Sequence, residues 1–125
     1  LVTAKAVVQD EVQAGFHEYI PLGSGDTFAP EQSEIYLVFA LTTPPADAKR
    51  IFTQWVAEQV EHKPPDTVIG TDAVVVDLND SSGYFFLNRP DEGWPVGTYR
   101  IDLFVGEEIS PYTYVADVRF RIQHP

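Results

Sequence analysis

The clearest pattern in the chain is an alternation of apolar and polar residues in its C-terminal third. Residues 98–105 alternate, the Gly-Glu-Glu of 106–108 is a turn signal, and residues 112–122 alternate again. Because successive side chains of a strand point to opposite faces, this pattern predicts two half-buried strands joined as an antiparallel hairpin. In the last strand the predicted buried face carries Tyr112 and Tyr114 together with residues 116, 118, 120 and 122.

Other strands are predicted from short apolar runs that end at turn residues. Residues 34–41 are β-branched and aromatic and stop at a Thr-Thr-Pro-Pro sequence, which blocks continuation of a ladder. Residues 71–78 and 83–88 are bounded in the same way by Asn, Asp, Ser, Gly or Pro. Residues 3–9 predict a first strand, whereas 15–30, rich in Gly, Pro and Asp, predict a loop.

The segment 48–60 supports two interpretations. As a helix it places its apolar residues on one face, with Asp47 as an N-cap. As a strand it places Ile51, Thr53, Trp55 and Ala57 on one side. The local pattern alone slightly favours the helix.

Taken together, the predicted strands and turns indicate one all-β domain. About seven strands at spacings near ten residues, without an internal repeat or a linker, are typical of an antiparallel β-sandwich. The domain would span residues 1–125, with 1–27 contributing a possible first strand and a loop.

The sequence Gly-Trp-Pro-Val-Gly-Thr-Tyr at 93–99 resembles the start of the penultimate strand in immunoglobulin-like sandwiches. In that family a tyrosine closes the corner by bonding upstream backbone. The resemblance implies that Tyr99 is the corner tyrosine, preceded by Gly97, and that Ile101 stands where disulfide-bearing members place their second cysteine. It also implies that Trp55 is the core tryptophan of the third strand, which favours a strand over 48–60.

Two departures specify the type of immunoglobulin-like domain. Pro95 stands where antibody-type domains usually carry an acidic residue, and the chain contains no cysteine. The resemblance is therefore to the cysteine-free domains of bacterial envelope and secreted proteins, which implies an extracytoplasmic location. The absence of a first methionine is what a removed signal peptide or a trimmed sequence would leave.

Charge and hydropathy exclude two classes of partner. Nineteen acidic residues against eight basic ones give a net charge of −11. That field repels nucleic acid, whose binding depends on clustered Lys and Arg. No apolar run reaches the roughly 18 residues needed to span a bilayer, so we expect no membrane insertion of this segment.

We find no pattern that predicts a metal site or a cofactor. His17, His62 and His124 lack metal-ligand spacing, and thiolates are absent. The oxygen-rich residues 77–83 are faintly similar to a calcium loop, but the glycine comes one place late and the twelfth position is Asn88. They are better interpreted as a polar turn.

Catalytic residues are not predicted either. The chain has no G-x-S-x-G sequence, and its carboxylate pairs are adjacent in the chain, as in solvated turns. We therefore expect no enzyme, with a carboxylate-dependent hydrolase as the least favoured hypothesis.

Aromatic residues provide the remaining indication of function. Trp94, Tyr84 and Phe86 are candidate ligand-binding rings, although Trp94 also suits a structural plug beside Tyr99. Phe52 and Phe104 are interface candidates that would form an apolar patch, through which a homodimer could also assemble. The first hypothesis is a non-catalytic extracytoplasmic module that contacts a protein partner or belongs to a larger assembly. The alternative is a carbohydrate-binding module whose aromatic platform takes a polysaccharide.

Overall fold

The structure is a computed structural model that describes residues 2–4, 6–13, 16–22, 25–40, 49–76 and 82–124. These residues form ten strands: β1 Val2–Ala4, β2 Ala6–Gln13, β3 Phe16–Leu22, β4 Thr27–Phe28, β5 Glu34–Ala40, β6 Lys49–Val60, β7 Thr67–Val76, β8 Ser82–Asn88, β9 Gly97–Val105 and β10 Tyr114–Ile122. The predicted all-β sandwich is confirmed. None of the described residues belongs to a helix that could cross a membrane.

The strands form two main sheets and one hairpin. The five-stranded sheet has the order β4-β10-β9-β6-β7, and the three-stranded sheet has the order β1-β5-β8. All of their pairings are antiparallel except that of β4 with β10. Strands β2 and β3 pair with each other, and both contact β5.

The core lies between the inner faces of the two main sheets. On the five-stranded side Trp55 packs edge-on against Phe120, with ring centroids 6.0 Å apart. On the three-stranded side Ile35, Leu37 and Phe85 are buried in the same apolar cluster. Because successive side chains of a strand point to opposite faces, the residues that alternate with these buried ones lie on the outer faces of the two sheets.

Residues 49–60 form strand β6, which confirms the strand interpretation of this segment. β6 is central in the sheet and pairs with β7 on one side and with β9 on the other. Ile51, Thr53, Trp55 and Ala57 are all buried, as the period of two predicts. Pairing on both edges satisfies the backbone without a helix, so tertiary pairing overrides the local helical pattern.

The prediction of a loop over 15–30 was wrong in part. Phe16–Leu22 is strand β3 and Thr27–Phe28 is strand β4. Gly15, Gly23 and Asp26 lie outside β3, while Phe16, Tyr19 and Ile20 within it suit a strand, and the whole of β3 pairs with β2. Pro21 is tolerated because β2 is the one hydrogen-bonded neighbour of β3 among the described strands, which leaves β3 at an edge there. The predicted first strand over 3–9 is divided between β1 and β2.

The start of β9 is built by the residues of the Trp-Pro-Val-Gly-Thr-Tyr sequence. The hydroxyl of Tyr99 donates to the carbonyl of Pro95 at 2.5 Å. Gly97 has a φ of +148°, and a Cβ at this position would lie 2.3 Å from the carbonyl oxygen of Gln59. Only glycine fits so close to the neighbouring strand. Tyr99 and Ile101 are both buried, so this corner anchors β9 in the core.

Candidate functional site

The loop between β9 and β10 and the first two residues of β10 together carry most of the exposed large apolar side chains in the described part of the chain. We call residues 106–115 the hairpin tip. Ile109, Tyr112, Tyr114 and Val115 are exposed there, and Tyr112 is 97% exposed. Large apolar side chains that gather on one surface loop are typical of binding sites, whereas single ones are common on any surface.

The side chain of Thr113 organises the hairpin tip from within. Its Oγ1 donates to the carbonyl of Glu108 at 2.7 Å and accepts from the backbone N–H of Ser110 at 3.1 Å. The backbone N–H of Thr113 donates to the Ser110 carbonyl, and the N–H of Tyr112 donates to Ser110 Oγ. These bonds close the turn on itself, so the loop is ordered although its apolar side chains face solvent.

Gly106 secures the base of the hairpin tip. It has a φ of +147°, and a Cβ there would lie 2.9 Å from Cγ2 of Thr113. Its N–H donates to the carbonyl of Arg50 on β6. A larger residue would push Thr113 out of its network, so glycine is needed for the loop to close.

A register shift between β9 and β10 sets the orientation of Tyr114. Tyr114 lies opposite Phe104, but Ala116 lies opposite Leu103, which marks a β-bulge. Tyr114 is therefore on the outer face, where its ring packs edge-on against Phe104 at 6.0 Å. This corrects the predicted alternation, which placed Tyr114 on the buried face. Tyr112 precedes the strand altogether.

The hairpin tip continues into an apolar row across the outer face of the five-stranded sheet. In the register, Ala73 of β7 lies opposite Phe52, Phe52 opposite Phe104, and Phe104 opposite Tyr114. We call these four residues the cross-strand stripe. The predicted interface candidates Phe52 and Phe104 are thus direct neighbours, although Phe104 is only 6% exposed because Tyr114 packs against it.

An ion-pair network occupies the same face further along the strands. Arg100 donates to Asp102 at 2.8 Å and to Glu58 at 3.0 Å, and Arg119 donates to Glu58 at 2.8 Å. The hydrogen bond from Arg119 is the main cause that lowers the pKa of the Glu58 carboxyl. Tyr114 donates to Asp117 at 2.7 Å, which links the network to the cross-strand stripe.

Acidic residues flank the hairpin tip itself. Glu107 and Glu108 are exposed beside Ile109, and Arg100 and Arg119 of this face are paired with carboxylates. Exposed Arg50, whose carbonyl accepts from the Gly106 N–H, is a basic residue at the base of the tip. Because the whole chain has a net charge of −11, the long-range field in which the tip lies is negative.

No protein-family model, curated protein or solved structure matches the chain. The hairpin tip is thus a hydrogen-bonded loop that carries exposed apolar side chains and two exposed glutamates.

Two of the three predicted ligand-binding rings lie together on the other sheet. Tyr84 and Phe86 flank Tyr36, whose ring centroid is 5.9 Å from that of Tyr84 and 5.4 Å from that of Phe86. We call these three residues the aromatic cluster. Tyr36 was missed in the sequence, although it alternates with Ile35 and Leu37 in a well-predicted strand and so belongs to the outer face. Its hydroxyl donates to Glu34 at 2.6 Å, and this bond raises the pKa of Tyr36 to about 12.

Trp94, the third ring of the predicted set, lies elsewhere and differs from that expectation. It is 2% exposed, and its Nε1 donates to the carbonyl of Gln32 at 2.8 Å. Its ring packs edge-on against Tyr99 with centroids 5.9 Å apart. Burial, the packing on Tyr99 and the satisfied N–H are the surroundings of a structural plug, the second role that the sequence suggests for Trp94.

The histidines are not brought into a metal centre in the described part of the chain. His62 and His124 line one open groove of about 510 Å³ beside Trp94. No group of three or more His, Cys, Asp or Glu residues there could hold a metal ion. The side chain of His17 and the polar residues 77–81 lie outside the described part.

Proposed function

We propose that this domain is a non-catalytic binding module that docks onto a protein partner through the hairpin tip. The observation that carries the proposal is Tyr112, a side chain 97% exposed on a loop that is closed by its own hydrogen bonds. A side chain that is this exposed contributes almost nothing to the core of the domain. Tyrosine is enriched among the residues that dominate protein interfaces, where its ring fills an apolar pocket.

The order of the hairpin tip favours binding as well. Association with a flexible loop costs free energy for ordering the loop backbone, in addition to roughly 0.5–1.5 kcal/mol for each side chain that is immobilised. The Thr113 network fixes the backbone beforehand, so part of that cost is already met in the free domain. A rigid loop with aromatic side chains is the arrangement that binding surfaces use for this reason.

The charge of the site specifies the chemistry of the partner. Glu107 and Glu108 flank the apolar side chains, and the chain carries a net charge of −11. The complementary surface has an apolar pocket for Tyr112 and a rim of Lys and Arg. Association with such a surface is accelerated by long-range attraction and slows as salt is added. We place this encounter outside the cytoplasm, as the resemblance to secreted and envelope domains implies.

Site-specific photo-crosslinking tests the proposal. A photoreactive phenylalanine analogue replaces Tyr112, and the matched control carries it at Arg121, an exposed position at the far end of β10. We expect position 112 to capture a defined protein from the source organism, and excess unlabelled wild-type domain to compete while a Tyr112→Ser domain does not. Equal capture at positions 112 and 121, or equal competition by the two domains, would rule out the hairpin tip as the contact surface.

The aromatic cluster supports a second candidate function, the binding of a carbohydrate. Phe86 is 42% exposed and lies beside Tyr36 and the carboxylate of Glu34, a combination of ring and acceptor that suits a sugar. The planes of Tyr36 and Phe86 are only 30° apart, so each ring covers part of the face that a sugar would need. Affinity electrophoresis in polysaccharide gels tests this function: a sugar site predicts retention that Phe86→Ala abolishes and Phe86→Tyr preserves.

A further inference from the structure

Strand β7 forms one edge of the five-stranded sheet. Its one hydrogen-bonded neighbour among the described strands is β6, so its other edge has no strand partner there. Thr71, Asp72, Ala73 and Val75 are exposed along this edge. An exposed edge strand of ten residues is a template for pairing with another chain, and natural sheets usually protect such edges.

Two features protect the edge of β7: Asp72, and a β-bulge at Ile69, where Trp55 lies opposite Gly70 but Val56 lies opposite Val68. Thr67–Val76 contains no proline and no other charged residue, and it ends in three consecutive valines. The carboxylate of Asp72 accepts from the backbone N–H of Ala73 at 2.7 Å. That N–H therefore points away from β6, and in an antiparallel ladder those of Thr71 and Val75 point the same way. The Asp72 carboxylate thus accepts the hydrogen bond of the Ala73 N–H, the central donor of the free edge, and places a negative charge beside it.

The geometry of β7 is self-complementary. Two β7 strands paired antiparallel about a two-fold axis at Ala73 would place Ala73 opposite its copy and Thr71 opposite Val75. Ala73 is also the end of the cross-strand stripe, since it lies opposite Phe52. Such pairing would join the stripes of both copies into one apolar row across a continuous sheet. No other strand partner would extend this row symmetrically.

We propose that the free edge of β7 is a pairing surface for a second copy of this chain, and that Asp72 keeps it closed. Pairing has to displace the Asp72 carboxylate from the Ala73 N–H, and it brings the carboxylates of the two copies close together. In this register Asp72 lies opposite Val74 of the copy, so the two Asp72 carboxylates are diagonal neighbours on the same face, about 7–8 Å apart, and their like charges repel. The net charge of −11 on each copy adds to this repulsion.

Sedimentation equilibrium of four proteins tests the proposal. We expect the wild type to be a monomer and Asp72→Thr, which removes both the cap and the charge, to double in mass. Asp72→Asn keeps an acceptor but loses the charge, and should dimerise more weakly. The double variant combines Asp72→Thr with Ala73→Pro. Proline removes the Ala73 N–H from the free edge and leaves the hydrogen bonds between β7 and β6 in place, so we expect this variant to be a monomer.

Hydrogen exchange locates the contact, because the amides of Thr71, Ala73 and Val75 should gain protection in the dimer. Circular dichroism establishes that each variant keeps the β-sandwich. If Asp72→Thr does not fold, the mass of Asp72→Asn decides whether the loss of the charge allows dimerisation. Monomeric Asp72 variants with an intact fold would overturn the proposal. A wild-type dimer, or a dimer that Ala73→Pro does not break, would overturn it as well.

Discussion

Tyr99 and Phe120 lie face to face across β9 and β10, with ring centroids 5.0 Å apart and planes only 5° from parallel. They are directly opposite in the register, and both are buried. Burial raises the pKa of the Tyr99 phenol well above its ordinary value, so the hydroxyl stays protonated and can donate to Pro95. This pair fixes the base of the hairpin whose other end carries Tyr112.

Replacing Tyr99 with phenylalanine tests the hydrogen bond at that base. We expect Tyr99→Phe to lower the free energy of unfolding by about 1 kcal/mol, because it removes one buried hydrogen bond and leaves the Pro95 carbonyl without its donor. Urea unfolding measures the change. Tyr112→Phe is the control, since its hydroxyl is fully exposed, and it should leave the midpoint unchanged. Identical midpoints for all three proteins would show that the corner bond adds no stability.

Replacing Thr53, unlike replacing Tyr99, is expected to raise the free energy of unfolding. It is 0% exposed in the middle of β6, and its hydroxyl has no hydrogen-bond partner. Thr53→Val keeps the shape and removes the unsatisfied group, so we expect a gain of about 1 kcal/mol in urea unfolding. The control is Thr67→Val, which loses a bond to Pro64 and should not stabilise. A loss of stability in Thr53→Val would mean that the hydroxyl is satisfied.

We expect the hydrogen bonds of Thr113 to determine how often the hairpin tip opens locally, with a smaller effect on the stability of the whole domain. Thr113→Val removes the Oγ1 bonds to Glu108 and Ser110, whereas Thr113→Ser keeps them. We expect the Ser110 amide to exchange about fivefold faster in the valine variant, the factor that corresponds to about 1 kcal/mol of local opening. Hydrogen exchange followed by NMR measures this. Equal rates in the two variants would contradict the role given to Thr113.

The phenol of Tyr36 should lose its proton at a higher pH than an ordinary tyrosine does. Its hydrogen bond to Glu34, followed by burial, raises its pKa to about 12, because the bond stabilises the protonated phenol and burial disfavours the phenolate. The stabilisation from this bond is therefore fully present below the ordinary tyrosine pKa of 10.0 and is lost as the pH rises towards 12. The difference in tyrosinate absorbance between wild type and Tyr36→Phe gives the titration, and Glu34→Ala should move it to lower pH. A titration that Glu34→Ala leaves in place would contradict the hydrogen bond as its cause.

Most strands could be predicted from the sequence because their period of two is local. Segment 48–60 was harder because Ile51 and Trp55, four residues apart, share a face both in a strand and in a helix. Long-range pairing of β6 with β7 and β9 settles it as a strand, and local patterns do not contain that information. Strand β3 was missed for a similar reason, since pairing with β2 overrides the turn signals of the flanking glycines and of Pro21 within the strand.

The candidate site was predicted only in part. The alternation of apolar residues anticipated that Phe52 and Phe104 would share an outer face, and the register places them opposite each other. The hairpin tip was missed because Tyr112 and Tyr114 also fit the alternation of β10. Pro111 was the available signal, since a residue without an N–H is unsuited to a ladder and so places Tyr112 outside the strand. The bulge that turns Tyr114 outwards has no such local signal.

The dissociation constant of the partner captured at position 112 tests the central claim most directly. It is compared among the wild type, Tyr112→Phe and Tyr112→Ala by isothermal titration calorimetry. We predict that Tyr112→Ala weakens binding by roughly thirtyfold or more, which corresponds to about 2 kcal/mol for a dominant interface residue, while Tyr112→Phe retains most of the affinity. A folded Tyr112→Ala domain that binds as tightly as the wild type would contradict the assignment of the hairpin tip as the binding surface.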